Sequence, residues 1–179
     1  MCESLLLPNQ ELIAVKYFTA KVNDSKRARR QNIYIEALEN CRKIEIKLGY
    51  FSVHKIKMPS ANSDFKQGRI DMVDVIKTEE KGTDVNLAVQ MAVDAVRDNF
   101  DYAMLFSNDS DMAYSVQIAA KECQKKVGLY ISSNATSHWV LKENTCYVRR
   151  MTGSFLAKHR FPDKIVTNTG RTFAIPKDW

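Results

Sequence analysis

Closely spaced cysteines are missing from this chain, which has only four cysteines in 179 residues. None of the four has the C-x-x-C spacing of a zinc site, and four scattered thiols do not make the dense disulfide framework of a small secreted domain. The chain also lacks an apolar run of roughly 18 residues, the length that a membrane-spanning helix requires. Its first ten residues, MCESLLLPNQ, have no basic segment and do not resemble a signal peptide. We therefore expect reduced thiols in a cytoplasmic protein that does not enter a membrane.

Acidic residues are fewer than basic ones, with 21 Asp and Glu against 27 Lys and Arg, so the formal net charge is +6. A moderate basic excess is consistent with a polyanionic partner such as nucleic acid, but many enzymes without such a partner share it. The hydrophobic fraction of 45% and the length suit a single folded domain with one core. Composition therefore argues against wholesale disorder and leaves the choice of partner open.

Segments with the pattern of strands alternate with segments that have the pattern of helices. Strands are predicted at 11–22, 44–56, 70–80, 101–108, 127–133 and 146–151, and helices at 23–41, 83–100, 111–126 and around 136–143. The strongest helix signal comes from apolar residues at intervals of three or four, at Val85, Val89, Ala92, Val96 and Phe100. The alternation predicts a parallel sheet with helices on both faces. In the tail, the Thr-Asn-Thr-Gly turn predicts a small hairpin or a wrapping extension.

Acidic side chains gather in two short segments, KTEEKGTDVN (77–86) and LFSNDSDMA (105–113). Asp109 and Asp111 follow directly after a predicted buried strand, so we expect them at the rim of the sheet where parallel strands end and ligands bind. Asp84 falls in the first turn of the preceding helix and is able to face the same rim. Each aspartate alone also fits a helix cap, which contributes about 0.5–2 kcal/mol. One cap uses only one of the pair Asp109 and Asp111, however, and leaves the other beside a like charge.

Crowded carboxylates raise one another's pKa unless a cation lies among them. Hard divalent cations such as Mg²⁺ and Mn²⁺ prefer oxygen ligands, and a hydrated ion of this kind orients an attacking water and offsets charge on a phosphate. The spacing of the acidic residues therefore favours a divalent-metal site, while the capping interpretation stays open for each residue taken singly.

The stretch KGTDVNLAVQMAVDAVRDNFDYAMLFSNDSDMA, residues 81–113, resembles the signature of the NYN domain, a branch of the PIN-like nuclease superfamily. In that family a Lys-Gly-x-Asp segment opens a helix, and the following hydrophobic strand ends in Ser-Gly-Asp-Ser-Asp or a near variant. The resemblance implies a three-layer α/β/α, PIN-like (Rossmann-like) domain over residues 1–151, followed by a C-terminal extension over 152–179. It also implies hydrolysis of phosphodiester bonds in RNA, with Mg²⁺ or Mn²⁺ held by Asp84, Asp109 and Asp111. Supporting residues in this interpretation are Asn108 and Ser110.

The chain departs from the family pattern at two points. Asn108 stands where the family usually has glycine, a minor change because amide side chains are tolerated in turns. The family's first strand, which ends in Asp-Gly-x-Asn and supplies a further acidic ligand, has no counterpart in the sequence. We expect an N-terminally truncated domain, with another segment in the place of that strand as the alternative. The alternative function is a catalytically inactive nucleic-acid-binding or regulatory module of the same fold, and a phosphatase of the D-x-D kind is a weaker third.

Basic residues are dense at the start of the first predicted helix, in SKRARRQN (25–32). A solvated helix face explains such a run as well as phosphate binding does. The nucleic-acid interpretation assigns phosphate contacts to Arg27, Arg29 and Arg30, with Lys81 beside the acidic segment as the better single candidate. We expect RNA as the partner, with single-stranded RNA among the candidates, and leave open a homo-oligomer or a partner protein.

Aromatic residues and histidines carry weaker signals. Five aromatic residues lie in apolar strands or helices and are predicted to be core or half-buried, namely Tyr17, Tyr50, Phe51, Tyr114 and Tyr130. The three histidines share no ligand spacing, and surface or hydrogen-bonded histidines are the expected outcome. No G-x-S-x-G segment is present, so a serine nucleophile of that kind is not indicated.

Overall fold

Strands and helices alternate along the chain in the computed structural model, which describes residues 1–22, 24–167 and 170–175. The strands are β1 (Val15–Ala20), β2 (Ile44–Pro59), β3 (Met72–Lys81), β4 (Tyr102–Phe106), β5 (Lys126–Ser132), β6 (Tyr147–Met151), β7 (Lys164–Val166) and β8 (Thr172–Ala174). The helices are α1 (Ser25–Glu39), α2 (Thr83–Val96), α3 (Ala113–Gln117), α4 (Trp139–Glu143) and α5 (Gly153–Lys158). None of the helices within the described ranges has the length and apolar character needed to cross a membrane.

The first six strands form two three-stranded sheets. In the first sheet, with the order β1-β2-β3, β1 runs parallel to β2 and β3 runs antiparallel to it. In the second sheet, β4, β5 and β6 are parallel throughout. Among the described residues, no strand is hydrogen-bonded to the second edge of β1 or of β4. The predicted α/β fold with mostly parallel strands is confirmed, and β3 is antiparallel because a loop without a crossover helix joins it to β2.

The hydrophobic core lies between the second sheet and the helices α2, α3 and α4. Its fully buried side chains come from alternate positions of β4 and β5 and from the facing helices, and include Leu105, Val127, Leu129, Ile131, Val116 and Leu141. Helix α2 is confirmed, but Val85, Val89 and Val96 are each more than half exposed. The side chains of α2 that pack against the core are instead Leu87, Ala88, Met91 and Ala95. Because α2 has apolar residues on two sides, periodicity identified the helix without identifying its buried face.

The segment predicted as one helix at 111–126 is wound in three different ways. A 3₁₀ turn at Ser110–Met112 leads into α3, and a π-helical turn at Ile118–Glu122 follows. The backbone N–H of Cys123 donates to the carbonyl of Ile118, which is the five-residue spacing of a π turn. Apolar periodicity does not distinguish these windings, since all three bring Met112, Val116 and Ala119 to the core.

Beyond the end of β1, strands β2 and β3 continue as a long antiparallel ribbon. Residues 50–59 pair with residues 72–81, and the loop 60–71 closes the ribbon, which we call the arm. Much of its apolar surface is exposed, at Tyr50, Val53, Met58, Phe65, Ile70, Met72, Val73 and Ile76. A two-stranded ribbon is only marginally stable in water, so we expect the arm to have the lowest local stability in the fold.

The C-terminal extension packs against α1. The rings of Phe161 and Tyr34 meet edge to face with their centroids 6.1 Å apart, and Arg171 lies 3.6 Å from the carboxylate of Glu36. Strands β7 and β8 are antiparallel, which confirms the predicted hairpin, although Asn168 and Thr169 of its turn lie outside the described residues. The boundary between residues 151 and 152 stays a prediction.

A partly buried ion pair joins the first sheet to α2. The ammonium of Lys16 lies 2.6 Å from Asp94 Oδ2, while the side-chain amides of Gln90 and Asn99 each donate to Asp94 Oδ1 over 3.0 Å. Asp94 is only 7% exposed. Burial by itself raises the pKa of Asp94, but the hydrogen bonds from Lys16 and Asn99 outweigh that effect and leave this pKa below its ordinary value.

Replacing Lys16 with methionine is expected to lower the free energy of unfolding at pH 7 by about 2–3 kcal/mol, because a buried carboxylate is left without its cation. A carboxyl group whose pKa is depressed in the folded state stabilises the fold above its unfolded pKa, near 4, and loses that effect as the pH falls through the folded pKa. Urea unfolding of wild type and Lys16→Met at pH 7 and at pH 3 should therefore give a difference in the free energy of unfolding that is smaller at pH 3.

Lys47→Met, which breaks an exposed pair with Glu45, is the control and should cost less than about 0.5 kcal/mol. An equal loss at both pH values would contradict this account.

Candidate metal and nucleic-acid site

Two glycines set the position at which α2 begins. A Cβ atom at Gly49 of β2 would lie 2.5 Å from the carbonyl oxygen of Lys81 and 2.8 Å from the hydroxyl of Thr83. Gly82 is the N-cap of α2 with φ of +89°, a left-handed conformation that favours glycine. Only at this close approach does the first turn of α2, which includes Asp84, lie against the end of the first sheet.

The segment after β4 turns sharply into the 3₁₀ turn that precedes α3. Asp109 caps this turn, since its Oδ1 accepts a hydrogen bond of 2.9 Å from the backbone N–H of Asp111. The backbone N–H of Asp109 in turn donates to Ser107 Oγ over 3.1 Å. The structure therefore gives the cap to Asp109, and no described residue donates a hydrogen bond to the carboxylate of Asp111.

The three predicted acidic residues act on one another electrostatically. Loss of hydration raises the pKa of Asp84, and the negative charges of Asp109, Glu80 and Asp111 raise it further. Gly82, rather than Asp84, caps α2, and no hydrogen bond or ion pair reaches the carboxylate of Asp84 from any described residue. No described basic side chain forms an ion pair with these carboxylates. We call the group Glu80, Asp84, Asp109 and Asp111 the acidic rim.

Glu80 is a member of the acidic rim that the sequence analysis quoted but did not select. It lies at the end of β3, where its carboxylate accepts a hydrogen bond from the hydroxyl of Thr83. The signal in the sequence was its position in Glu-Glu-Lys-Gly-Thr-Asp, four residues before Asp84. Four residues separate neighbours on one helix face, but here a glycine turn brings the two side chains together.

The acidic rim offers only carboxylate oxygens, which are the donor atoms that a hard divalent cation prefers. Within the described part of the chain, however, no three Asp, Glu, His or Cys side chains are grouped closely enough to hold one ion. The capping bond to Asp111 engages one oxygen of Asp109. Mg²⁺ commonly keeps several waters and takes only one or two carboxylates, so the donors fit a hydrated ion better than a closed protein cage.

The predicted phosphate-binding residues of α1 lie at the same end of the first sheet as Asp84. Ala20, the last residue of β1, pairs with Gly49, which contacts the start of α2. Helix α1 begins shortly after Ala20, and Asp24 caps it by accepting a 2.8 Å hydrogen bond from the backbone N–H of Arg27. Exposed side chains on the first turns are those of Arg27 and Arg29, whereas Arg30 is half-buried. These arginines therefore remain candidates for phosphate contacts.

Lys81 does not stand free beside the acidic residues. Its ammonium lies 2.8 Å from Glu79 Oε2, and Lys77 also bonds to the carboxylate of Glu79. Hydrogen bonds from Lys77 and Lys81 lower the pKa of Glu79 to about 2, and the same pairing raises the pKa of Lys81. A phosphate that binds Lys81 must therefore compete with Glu79.

Asn108 and Ser110, the predicted supporting residues, are placed differently. The Asn108 amide donates to the carbonyl of Thr136 over 2.8 Å, and its Oδ1 accepts from the backbone N–H of His138 over 3.2 Å. Asn108 therefore joins the end of β4 to the 133–138 loop, which connects β5 to α4. Ser110 is exposed and opens the 3₁₀ turn, where its carbonyl accepts from the N–H of Ala113. A role of Asn108 or Ser110 in supporting the acidic rim stays a prediction.

Two of the aromatic predictions are wrong. Tyr50 is 64% exposed and Tyr114 is 68% exposed, although both were expected to be core or half-buried. Tyr50 lies where β2 leaves β1 and enters the arm, so the rest of the domain no longer covers it. Tyr114 lies in the first turn of α3, whose next two residues, Ser115 and Val116, are the buried ones. The other three, Tyr17, Phe51 and Tyr130, are half-buried or buried as expected.

Comparison with known proteins places this geometry in a family. The model of the NYN domain matches residues 9–149. The chain is 29% identical over 131 residues to 6-hydroxy-3-succinoylpyridine 3-monooxygenase HspA of Pseudomonas putida, a match over 68% of this chain and 42% of that protein, so the chain spans less than half the length of that relative. The crystal structure of a protein of unknown function from Vibrio parahaemolyticus superimposes with a TM-score of 0.49 at 17% identity, over 80% of this chain and 71% of the other. The chain belongs to the NYN domain family, and with it to the PIN-like nuclease superfamily.

Proposed function

We propose that this NYN domain is a metal-dependent ribonuclease that hydrolyses phosphodiester bonds of RNA. The observation that carries the proposal is the acidic rim itself, four carboxylates that pair with no basic side chain among the described residues, where loss of hydration and then the charges of Asp109, Glu80 and Asp111 raise the pKa of Asp84. Crowded carboxylates repel one another, and a bound cation relieves that repulsion. Nucleases of this superfamily generally depend on a divalent metal, and the carboxylate donors here suit Mg²⁺ or Mn²⁺.

The chain's own residues have distinct parts in this proposal. Asp84 and Asp111, whose carboxylates are free of hydrogen bonds from described residues, would hold a hydrated ion directly or through its waters, while Asp109 caps the turn that carries Asp111 and adds its negative charge. When bound, the ion supplies the positive charge that activates a water and offsets charge on the phosphate. The exposed guanidinium groups of Arg27 and Arg29 bind phosphates of the substrate, with Arg30 and Lys81 as further contacts.

An inactive nucleic-acid-binding module of the same fold is the second candidate. It is favoured by one observation, namely that no three metal-binding side chains are grouped for a single ion among the described residues. Such a module would bind RNA through the same arginines and leave it intact. The monooxygenase activity in the name of the Pseudomonas relative is that of a protein matched over 42% of its length, and we do not assign it to this chain.

The test is cleavage of end-labelled single-stranded RNA by the purified chain with Mg²⁺, with Mn²⁺ and with a chelator. A ribonuclease of the proposed kind produces fragments with either metal and none with the chelator. Electrophoretic mobility shifts on the same RNA in Ca²⁺ report binding separately. Binding without fragments in any metal would reject the ribonuclease and leave the inactive module.

We also propose a cytoplasmic site of action, which the four free, scattered cysteines support.

A further inference from the structure

Trp139, the first residue of α4, is 70% exposed. Tryptophan is highly buried on average, because its large ring gains much from leaving water, and it is enriched where proteins bind other molecules. The imidazole of His138 lies beside the indole with the ring centroids 6.2 Å apart and 28° between the ring planes. The two exposed rings are therefore roughly parallel and stacked with an offset, and we call this pair the platform.

Hydrogen bonds from two directions hold the loop that carries the platform. On one side, the amide of Asn108 binds Thr136 and His138 over 2.8 and 3.2 Å. On the other side, the guanidinium of Arg150 in β6 donates to the carbonyls of Ser133 and Ala135 over 2.9 and 2.6 Å. The loop is thus fixed before any ligand arrives, which reduces the ordering cost of binding.

The platform adjoins the acidic rim. Asn108, which binds the backbone N–H of His138, is the residue directly before Asp109. Helix α4 packs against both α3 and the 3₁₀ turn that contains Asp111. A second exposed ring, that of Tyr114, lies three residues after Asp111. Aromatic surface and carboxylates therefore share one side of the domain.

Two basic side chains belong to the surroundings of the platform. Lys142 is exposed in α4, and the guanidinium of Arg150 reaches the loop that carries the platform, with Glu143 as the acidic residue of α4. Cations beside a flat exposed ring are the combination that binds single-stranded nucleic acid, in which phosphates meet the charges and bases stack on the ring. Duplex bases are already stacked on each other and do not offer a free face.

We propose that the platform of Trp139 and His138 stacks one unpaired base of a single-stranded nucleic acid whose neighbouring phosphate lies at the acidic rim. The inference deepens the proposed function, on which its placement of the phosphate rests, and it specifies single-stranded substrate. Asn108 is a positioning residue, since it acts through the loop and does not touch the base.

Binding of short oligonucleotides in Ca²⁺ tests the platform without requiring cleavage. In a Trp179→Phe background Trp139 is the only tryptophan of the chain. Stacking should quench its fluorescence when an eight-residue oligoadenylate is added, and an abasic oligomer of the same length, which has equal charge, should not quench it. Trp139→Ala should weaken oligoadenylate binding about tenfold and Trp139→Phe about twofold, while binding of the abasic oligomer should stay the same. Circular dichroism should show that the variants fold, since the side chain is mostly exposed.

The outcomes separate this inference from the ribonuclease. Equal oligoadenylate affinity of the parent and Trp139→Ala would overturn the platform even if the chain cuts RNA in Mn²⁺. Quenching by oligoadenylate in a chain that cuts no RNA would support the platform and reject the ribonuclease. Self-association that disappears in Trp139→Ala, measured by sedimentation, together with the absence of quenching, would show a protein contact instead and overturn the inference. Asn108→Ala should lower the affinity for oligoadenylate but not for the abasic oligomer, as a positioning part requires.

Discussion

Replacing Asp84 with asparagine is expected to lower the rate of metal-dependent RNA cleavage by about 10²–10³-fold, the scale seen when one charge-stabilising group leaves an active site. The substitution keeps the size of the side chain and removes its negative charge. Because Gly82 caps α2, and because no described residue bonds to the carboxylate of Asp84, the change should leave the fold intact. It also removes repulsion among crowded carboxylates, so stability at neutral pH should stay the same or rise slightly.

A matched control lies at the opposite end of the strand that leads to the acidic rim. Asp101 directly precedes β4, whereas Asp109 follows it, and the side chain of Asp101 is fully exposed. Asp101→Asn should therefore retain full cleavage. The comparison requires cleavage rates at saturating Mn²⁺ and melting temperatures for each variant. Equal rates for Asp84→Asn and Asp101→Asn would show that the acidic rim is not the catalytic site.

The substitution at Asp109 has to preserve a structural role, since Asp109 also caps the 3₁₀ turn. Asparagine caps helical turns about as well as aspartate, so Asp109→Asn keeps the hydrogen bond to Asp111 and tests charge alone. Alanine removes the cap too, at about 1 kcal/mol. Loss of cleavage in Asp109→Asn with an unchanged melting temperature would therefore be assigned to chemistry. If only the alanine variant loses cleavage, Asp109 acts through the turn.

Replacing Gly128 with valine is expected to destabilise the domain by about 3 kcal/mol or more, the upper part of the range for forcing extra methyl groups into a packed site. Gly128 lies in β5, the central strand of the second sheet. A Cβ atom there would lie 2.3 Å from the hydroxyl of Tyr102 and 2.6 Å from Cζ of Tyr147. Both rings cross over the glycine, and Tyr147 also hydrogen-bonds to Tyr130 over 2.8 Å, so neither ring moves away without breaking other contacts.

Strand propensity alone predicts that Gly128→Val stabilises the domain, since valine is favoured in strands over glycine. Thermal unfolding should decide, with an expected fall in melting temperature of about 6–12 °C for a domain of this size. Gly153→Ala is the control, because no atom lies within 4 Å of its added Cβ, and it should be neutral or slightly stabilising. A rise in melting temperature for Gly128→Val would show that the tyrosine rings do not pack over β5 as described.

A double substitution tests whether contact with the Tyr102 hydroxyl causes the loss of stability when a side chain is added at Gly128. Tyr102→Phe removes the hydroxyl that lies nearest to the added Cβ of Gly128→Ala. If that contact is the source of the strain, the double variant should be more stable than the sum of the single effects predicts, by about 0.5–1 kcal/mol or more. Strict additivity would assign the loss to the contacts of the added Cβ with Tyr147 instead.

Local pattern was sufficient for most of the elements because the interactions that form them are local. The period of apolar residues in 83–100 predicts a helix, which the structure ends at Val96, and the short apolar run before Ser-Asn-Asp-Ser-Asp predicts a strand. That strand is less buried than expected, since Phe106 is 41% exposed. The joined motifs over residues 81–113 also identify the family, which the match over 9–149 shows. The same local signals failed wherever a neighbour decided the outcome. The valines of α2 face solvent because Leu87 and Met91 face the core, and Tyr50 is exposed because β1 ends before it.

The order of residues by itself determines that Asp109 and Asp111 follow β4 and that Asp84 lies in the first turn of α2. Tertiary structure alone decided that Asp109 caps the turn and that Glu80 belongs to the acidic rim. It also decided that Lys81 forms an ion pair with Glu79. It alone also brought Asn108 to the loop of Trp139, across the 28 residues that separate Asn108 from Thr136. Hydrogen bonds and charges act over a few ångströms in space, so contacts between residues distant in the chain exist only after the sheet and its glycine turns have formed.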